Sequence, residues 1–525
     1  MRPKPLVLVI LDGWGVAAAS SDNAVRQAAT PHFDGFISEY PAMTLVASGE
    51  ALGLPRGQAG SSEVSHLTMG AGFALYQALP RITKAIEDET FFQNTALLKA
   101  IAHTRRHKSR LHLIGLVSSG GIHSHIDHLF ALLELARREN VEEVYVHAIL
   151  DGRDTAYNSG ADFVARLEKK MQELGLGRMA SVAGRAYAMD RDNHWDRIQR
   201  VYEAMVHGRS NSVASSVREA VERSYAEGVY DEEFVPTVIK SGSALADIIK
   251  KNDSVIFFNF RPDRGRELTA ALTQPSFTAF DRGSLPERIC FVTMTTYEKS
   301  LPVLVAYPRQ VVDRPVAKIV SEAGLRQLHI AETEKYAHVT YFFNGGTEEP
   351  FVGEDNVLIP SPSVVSYAEV PNMSASAIVE RMVREILNES YDVIVANFAN
   401  ADMVGHTGNL QATIASVAAV DRCLGDIADA VLAKNGLLIV TADHGNAEAL
   451  VHTHTGDINK SHTTNPVPLL IIANQLRGKT AGLPDVVGSD LSLQSPAGTL
   501  ADVAPTMLKI LELPIPIVMT GRSLL

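Results

Sequence analysis

Six stretches of the chain are almost purely apolar for the length of one strand and then stop abruptly at polar residues. They are PLVLVILD (5–12), VYVHAILDGRD (144–154), SVIFFNFRPDR (254–264), YDVIVANFANAD (391–402), GLLIVTADHG (436–445) and VPLLIIAN (467–474). Uninterrupted apolarity, without alternation, marks strands covered on both faces. Between them lie segments with helical spacing, such as HLFALLELARREN (128–140) and LQATIASVAAVDRCLGDIADAVLAK (410–434). Buried strands alternating with amphipathic helices predict an α/β fold whose sheets are mainly parallel and flanked by helices. In such sheets working residues collect where the strands end, and here the charged residues stand at those ends.

At 525 residues the chain exceeds one ordinary core, so two domains are expected. Two proline-containing stretches, GAGFALYQALP (70–80) and SLPVLVAYP (300–308), suit crossovers between them. This predicts a discontinuous domain, 1–76 and 309–525, carrying an inserted second α/β domain at 77–308. The formal net charge of −12, with no long basic run, argues against nucleic acid and anionic membrane as partners. Two cysteines, Cys290 and Cys423, build no disulfide framework, and the first apolar run ends after seven residues at Asp12, too short for a signal or a span. A cytoplasmic location is expected.

GSSEVSHLTMGAG (60–72) holds three serines within five residues, and its composition reads first as a loop. A serine hydroxyl is a weak nucleophile until a base or a cation lowers its pKa. The cation candidates stand elsewhere. Asp402 and His406 are four apart in NADMVGHTG, on one face of a helical turn. Asp443 and His444 follow GLLIVTA, His462 precedes VPLLIIAN, and Asp12 ends the first strand. Three carboxylates and three imidazoles form a mixed oxygen and nitrogen set suited to manganese or zinc. Two such ions can activate a hydroxyl and clamp the oxygens of a phosphoryl group.

With these residues in view, the chain resembles the cofactor-independent (2,3-bisphosphoglycerate-independent) phosphoglycerate mutases of the alkaline phosphatase superfamily. The resemblance runs through LVILDGWG (8–15), SEVSHLTMGAG, GGIHSH (120–125), LDGRDT (150–155), GRAYAMDRD (184–192), FFNFRPDR (257–264), ETEKYAHVTYFFNGG (332–346), NFANADMVGHTGNL (397–410), TADHGNAE (441–448), SHTTNPVP (461–468) and MTGRSLL (519–525). It implies interconversion of 3-phosphoglycerate and 2-phosphoglycerate through a phosphoserine on Ser62. Two divalent ions would serve, Mn2+ foremost with Co2+ or Zn2+ as alternatives, and no bisphosphoglycerate. One ion would be held by Asp402, His406 and His462, the other by Asp12, Ser62, Asp443 and His444. The substrate pocket maps to His123, Arg153, Asp154, Arg185, Arg191, Arg261 and Arg264 on the inserted domain, with Lys335 reaching toward the phosphate and Asp154 shuttling a proton. Five arginines suit a ligand carrying both a carboxylate and a phosphate, because guanidinium forks bind each bidentately. Closure of the inserted domain would keep water from the phosphoserine. The small-molecule substrate is the expected partner, and the chain a monomer.

The chain departs from the family's pattern at Ser61, Ser65, Phe73 and Ser119, none of them an expected metal ligand. Ser65 stands where a glycine is usual, and a left-handed backbone there would cost roughly 1–2 kcal/mol. Ser61 or Ser65 are the other candidate nucleophiles. The alternative activities are a metal-dependent phosphatase or phosphopentomutase of the same superfamily, and a non-catalytic binding protein on the same fold.

Overall fold

The structure is a computed structural model, and it describes residues 2–240, 248–283, 286–452, 455–479 and 490–525. Its contacts divide the chain into two compact units, Met1–Tyr76 with Gln310–Leu525, and Gln77–Arg309. Each unit is built on an eight-stranded, mostly parallel sheet flanked by helices, so the α/β fold with two sheets is as the apolar pattern predicts.

In the discontinuous unit the sheet order is Glu354–Ile359, Gln327–Glu332, Val393–Phe398, Leu6–Leu11, Leu437–Thr441, Val467–Ile472, Ala42–Val46 and Gly498–Thr499. The N-terminal strand Leu6–Leu11 therefore lies in mid-sheet, parallel to Val393–Phe398 on one side and Leu437–Thr441 on the other. All six of its side chains are buried, which explains the unbroken LVLVIL. At about 1.5–3 kcal/mol for each large apolar side chain, this one strand contributes on the order of 10 kcal/mol of burial. Val467–Ile472 runs antiparallel to both of its neighbours.

The helix Leu410–Ala433 packs on this sheet through Val417, Val420, Leu424, Ile427 and Val431, the three-and-four spacing of one buried stripe. Its start is set by Asn409, whose side chain accepts the N–H of Ala412.

The inserted unit orders its strands Leu304–Val305, Cys290–Thr293, Ser254–Phe257, Leu111–Leu116, Val144–Leu150, Arg178–Gly184, Thr237–Ile239 and Ser212–Ala214. Its first strand, Leu111–Leu116, is again internal, between Ser254–Phe257 and Val144–Leu150. The order reverses there, and in open α/β sheets a binding crevice forms outside the carboxyl ends at such a reversal.

Two local expectations are corrected. Residues 60–72 are not a loop, because Ser62–Ala71 is a helix with Ser61 as its N-cap, accepting from the N–H of Val64. Ser65 lies inside that helix and is absent from the positive-φ residues, so the serine there carries no left-handed strain.

Candidate metal centre and active site

In the discontinuous unit the carboxyl ends of three adjacent parallel strands carry the acidic residues. Asp12 follows Leu6–Leu11, Asp443 and His444 follow Leu437–Thr441, and Asp402 lies in the short helix Asn400–Gly405 after Val393–Phe398. His462 precedes the antiparallel strand Val467–Ile472, whose start lies at the edge where the parallel strands end. Ser62 opens the helix Ser62–Ala71 and meets the same edge.

Ser62 Oγ lies 3.0 Å from His444 Nε2 and donates to Asp12 Oδ1 at 3.3 Å. The Lys335 ammonium donates to Asp12 Oδ1 at 2.6 Å, Asp402 Oδ2 at 2.7 Å and Ser62 Oγ at 2.9 Å. Lys335 is thus buried among carboxylates rather than solvated at a helix start. Burial works against its charge, but Asp12 and Asp402 outweigh it and hold the ammonium above its ordinary pKa. Asp402 stays well below the usual carboxylate range despite burial, because Lys335, His406 and His462 face it. Asp12 is pushed up, first by burial and then by the nearby charge of Asp443.

Two groups have ligand atoms close enough to share an ion: Asp402 with His444 and His462, and Asp12 with Asp443 and His444. His406 joins the first group, its Nε2 lying 3.2 Å from both Asp402 Oδ1 and His462 Nε2. His462 Nε2 in turn lies 3.3 Å from Asp402 Oδ1. His444 is central to both groups, and its ring stacks on that of His462 at 3.6 Å. His444 thus lies within reach of both groups, whereas the resemblance assigns it to one ion.

The donor set fits divalent cations. Asp443 Oδ2 and His444 Nδ1 are buried without a hydrogen-bond partner, and buried polar atoms left so are costly. Three carboxylates converge with one ammonium, and His462 is pushed up to about 9, burial being outweighed by Asp402. Acid oxygens and imidazole nitrogens gathered in this way suit Mn2+, Zn2+ or Co2+.

Sequence reasoning missed four residues beside these ligands. Asn397 donates to Asp12 Oδ2 at 2.8 Å and lies 3.1 Å from His66 Nε2, while His66 Nδ1 meets the Ser62 carbonyl at 2.8 Å. Burial pushes the His66 imidazole down to about 4, so it stays neutral. Asn446 donates to Asp402 Oδ1 at 2.9 Å, and Glu448 is buried in the same loop. All four lie inside the sequence blocks quoted above, but none stands directly at the end of an apolar run, where the other candidates drew notice.

The inserted unit gathers the other predicted residues at the carboxyl ends of Leu111–Leu116, Val144–Leu150, Arg178–Gly184 and Ser254–Phe257. Arg185 Nη1 bridges Asp151 at 2.6 Å and Asp154 at 2.7 Å. His123 lies 3.9 Å from both Asp154 and Asp263, and burial followed by Arg185 pushes it down to about 4. Asp263 also holds Arg261 at 3.0 Å and Arg191 at 3.3 Å. Arg264 donates to the Met189 carbonyl, and Arg153 lies 3.4 Å from Glu232. Arg264 is pushed below its ordinary value by burial and then by Arg185, Arg191 and Arg153, so the guanidinium groups repel one another as an anion receptor's do.

Comparisons with known proteins place the chain in a family. Residues 82–299 match the family described as BPG-independent PGAM N-terminus (iPGM_N). The 2,3-bisphosphoglycerate-independent phosphoglycerate mutase of Clostridium perfringens (strain SM101 / Type A) is 48% identical over all of both chains. The chain belongs to this mutase family, a family of isomerases. The mutase of Chloroflexus aggregans is 49% identical, over 100% of this chain and 99% of its own. Among solved structures, phosphoglycerate mutase of Leishmania mexicana, crystallised at low cobalt concentration, is similar with a TM-score of 0.50 and 30% identity. That match covers 99% of this chain and 98% of the other.

Proposed function

We propose that the protein interconverts 3-phosphoglycerate and 2-phosphoglycerate in glycolysis and gluconeogenesis through a phosphoserine on Ser62, with two divalent cations and no bisphosphoglycerate. The observation that carries this reading is the position of Ser62 Oγ, 2.9 Å from Lys335 Nζ and 3.0 Å from His444 Nε2, where the two ligand clusters meet. Asp402, His406 and His462 would hold one cation, and Asp12, Ser62, Asp443 and His444 the other. Bound there, such ions supply Lewis acidity that lowers the serine pKa and neutralises phosphoryl oxygens. Mn2+ is the foremost candidate through the family resemblance, with Co2+ or Zn2+ as alternatives.

The rest of the chemistry falls to the chain's own groups. Lys335 donates to Ser62 Oγ and favours its deprotonated form. The helix Ser62–Ala71 points its positive end at the phosphoryl group the serine accepts. As the new bond from phosphorus to Ser62 Oγ forms, the bond to the glycerate oxygen breaks. Asp154 then hands a proton between the two glycerate hydroxyls, and the other hydroxyl takes the phosphoryl group back. Arg153, Arg185, Arg191, Arg261, Arg264 and His123 hold the phosphoglycerate, whose carboxylate and phosphate suit guanidinium forks, and keep the glycerate by its carboxylate once the phosphoryl group has moved. The proposal gives the phosphoryl chemistry to the discontinuous unit and substrate binding to the inserted one. A cytoplasmic, monomeric enzyme accords with two free cysteines, and among the described residues no helix is long and apolar enough to cross a membrane.

The test is direct. Purified protein given 3-phosphoglycerate and Mn2+, without bisphosphoglycerate, is expected to form 2-phosphoglycerate, and EDTA to silence it. Inorganic phosphate as the main product would transfer the assignment to a phosphatase, and full turnover in EDTA would end the metal assignment.

A further inference from the structure

Glu448 is buried, and all its hydrogen-bond partners are donors on loops that carry metal-site residues. Its Oε2 accepts the N–H of Gly15 at 3.2 Å and the N–H of Asn446 at 2.8 Å. Its Oε1 accepts Asn465 Nδ2 at 2.9 Å and the hydroxyl of Thr463. Gly15 is three residues beyond Asp12, Asn446 two beyond His444, and Thr463 directly follows His462. Through Asn446 the contact extends further, because that residue's side chain donates to Asp402 Oδ1 at 2.9 Å. One carboxylate therefore touches three of the five segments that carry expected ligands and reaches a fourth, that of Asp402, through a single residue.

We propose that Glu448 is the positioning residue of the metal centre, the anchor that sets the spacing of the ligand loops before any cation binds. The inference rests on the two-cation reading above. Four donors match the four lone-pair sites of an ionised carboxylate, which accepts only. All four of its donors, two backbone N–H groups, an amide and a hydroxyl, are neutral. The backbone has made room for it. A Cβ at Gly15 would lie 2.2 Å from the Glu448 carboxyl carbon, and one at Gly445 would lie 2.3 Å from its Oε1. Neither glycine has a positive φ, so space rather than backbone conformation requires them there. Groups that orient metal ligands from behind typically change metal affinity about 10–100-fold when removed.

The experiment uses the full chain and Mn2+ as the probe. Glutamine at this position must turn its amide N–H groups toward two of the four donors. Glu448→Gln is therefore expected to weaken Mn2+ binding by calorimetry about 10–100-fold and to lose most of the thermal stabilisation Mn2+ gives. Excess Mn2+ should restore kcat, with KM for 3-phosphoglycerate unchanged. A merely structural role would lower stability with and without metal alike and leave affinity intact. Thr463→Val removes one donor with little change of shape and is expected to weaken Mn2+ a few-fold, which keeps the test open if Glu448→Gln does not fold. Wild-type Mn2+ affinity in both variants, or in a folded Glu448→Gln alone, overturns the anchor but not the two-cation reading. A wild-type chain that binds no Mn2+ overturns both.

Discussion

The two units put polar groups at the same place, the carboxyl ends of central parallel strands, and treat them in opposite ways. In the discontinuous unit Asp12, Asp443 and His444 are 0% exposed and lock against Lys335, Ser62 and one another. In the inserted unit the side chains of Arg153, Arg191 and Arg261 are 57%, 46% and 47% exposed and pair with acidic neighbours, while Arg185 alone of the five arginines is buried between two aspartates. Buried charge is costly unless paired, so a cation site needs many groups held in one arrangement. An anion receptor needs the reverse: loosely paired guanidiniums that exchange an acidic neighbour for a ligand carboxylate or phosphate at little cost.

The sharpest way to break this contrast is to remove the hydroxyl where the clusters meet. Ser62→Ala is expected to lower turnover at least about a thousandfold while the fold persists. Retained activity, read by formation of 2-phosphoglycerate, would move the nucleophile to Ser61 or Ser65. On the receptor side, Arg261→Ala removes one half-exposed fork. Charge-assisted hydrogen bonds of about 1.5–3 kcal/mol correspond to a KM roughly 10–100-fold higher. Melting temperature should barely move, since exposed pairs contribute about 0–1 kcal/mol. A fall in stability with KM unchanged would show Arg261 to be structural.

The smallest effect concerns a buried carboxyl behind the metal edge. Burial pushes Glu332 from 4.5 up to about 7, so its neutral form is the one the fold favours. A raised folded pKa gives stability that is complete below about 4.5 and is lost as pH rises through about 7. Glu332→Gln is expected to be about 1–3 kcal/mol more stable than the wild type near ~pH 8, with little difference in acid. Equal melting curves at both pH values would show that this carboxyl is not held neutral.

Much of the fold was written in local pattern. The six apolar runs are each a strand, because a strand covered on both faces must be apolar throughout. Leu111–Leu116, the internal strand of the inserted unit, did not stand out, because His112 and Gly115 interrupt it. His112 is tolerated there because His147 and Asp253 hydrogen-bond it in the sheet interior. The serine stretch misled in the other direction: its glycines and serines suggested a loop, while Ser61 in fact caps a helix.

By itself the sequence marked which side chains are candidates for chemistry, because carboxylates, imidazoles and arginines at strand ends are visible as residue types beside apolar runs. Only the tertiary structure decided how they combine. His462 stands before its strand rather than after it, and it joins Asp402 and His444 because that strand runs antiparallel. His444 lies in both groups, and Asn446 and Asn397 donate to Asp402 and Asp12, for the same reason. Sheet order brings together loops hundreds of residues apart, and no local spacing encodes a contact made across neighbouring strands.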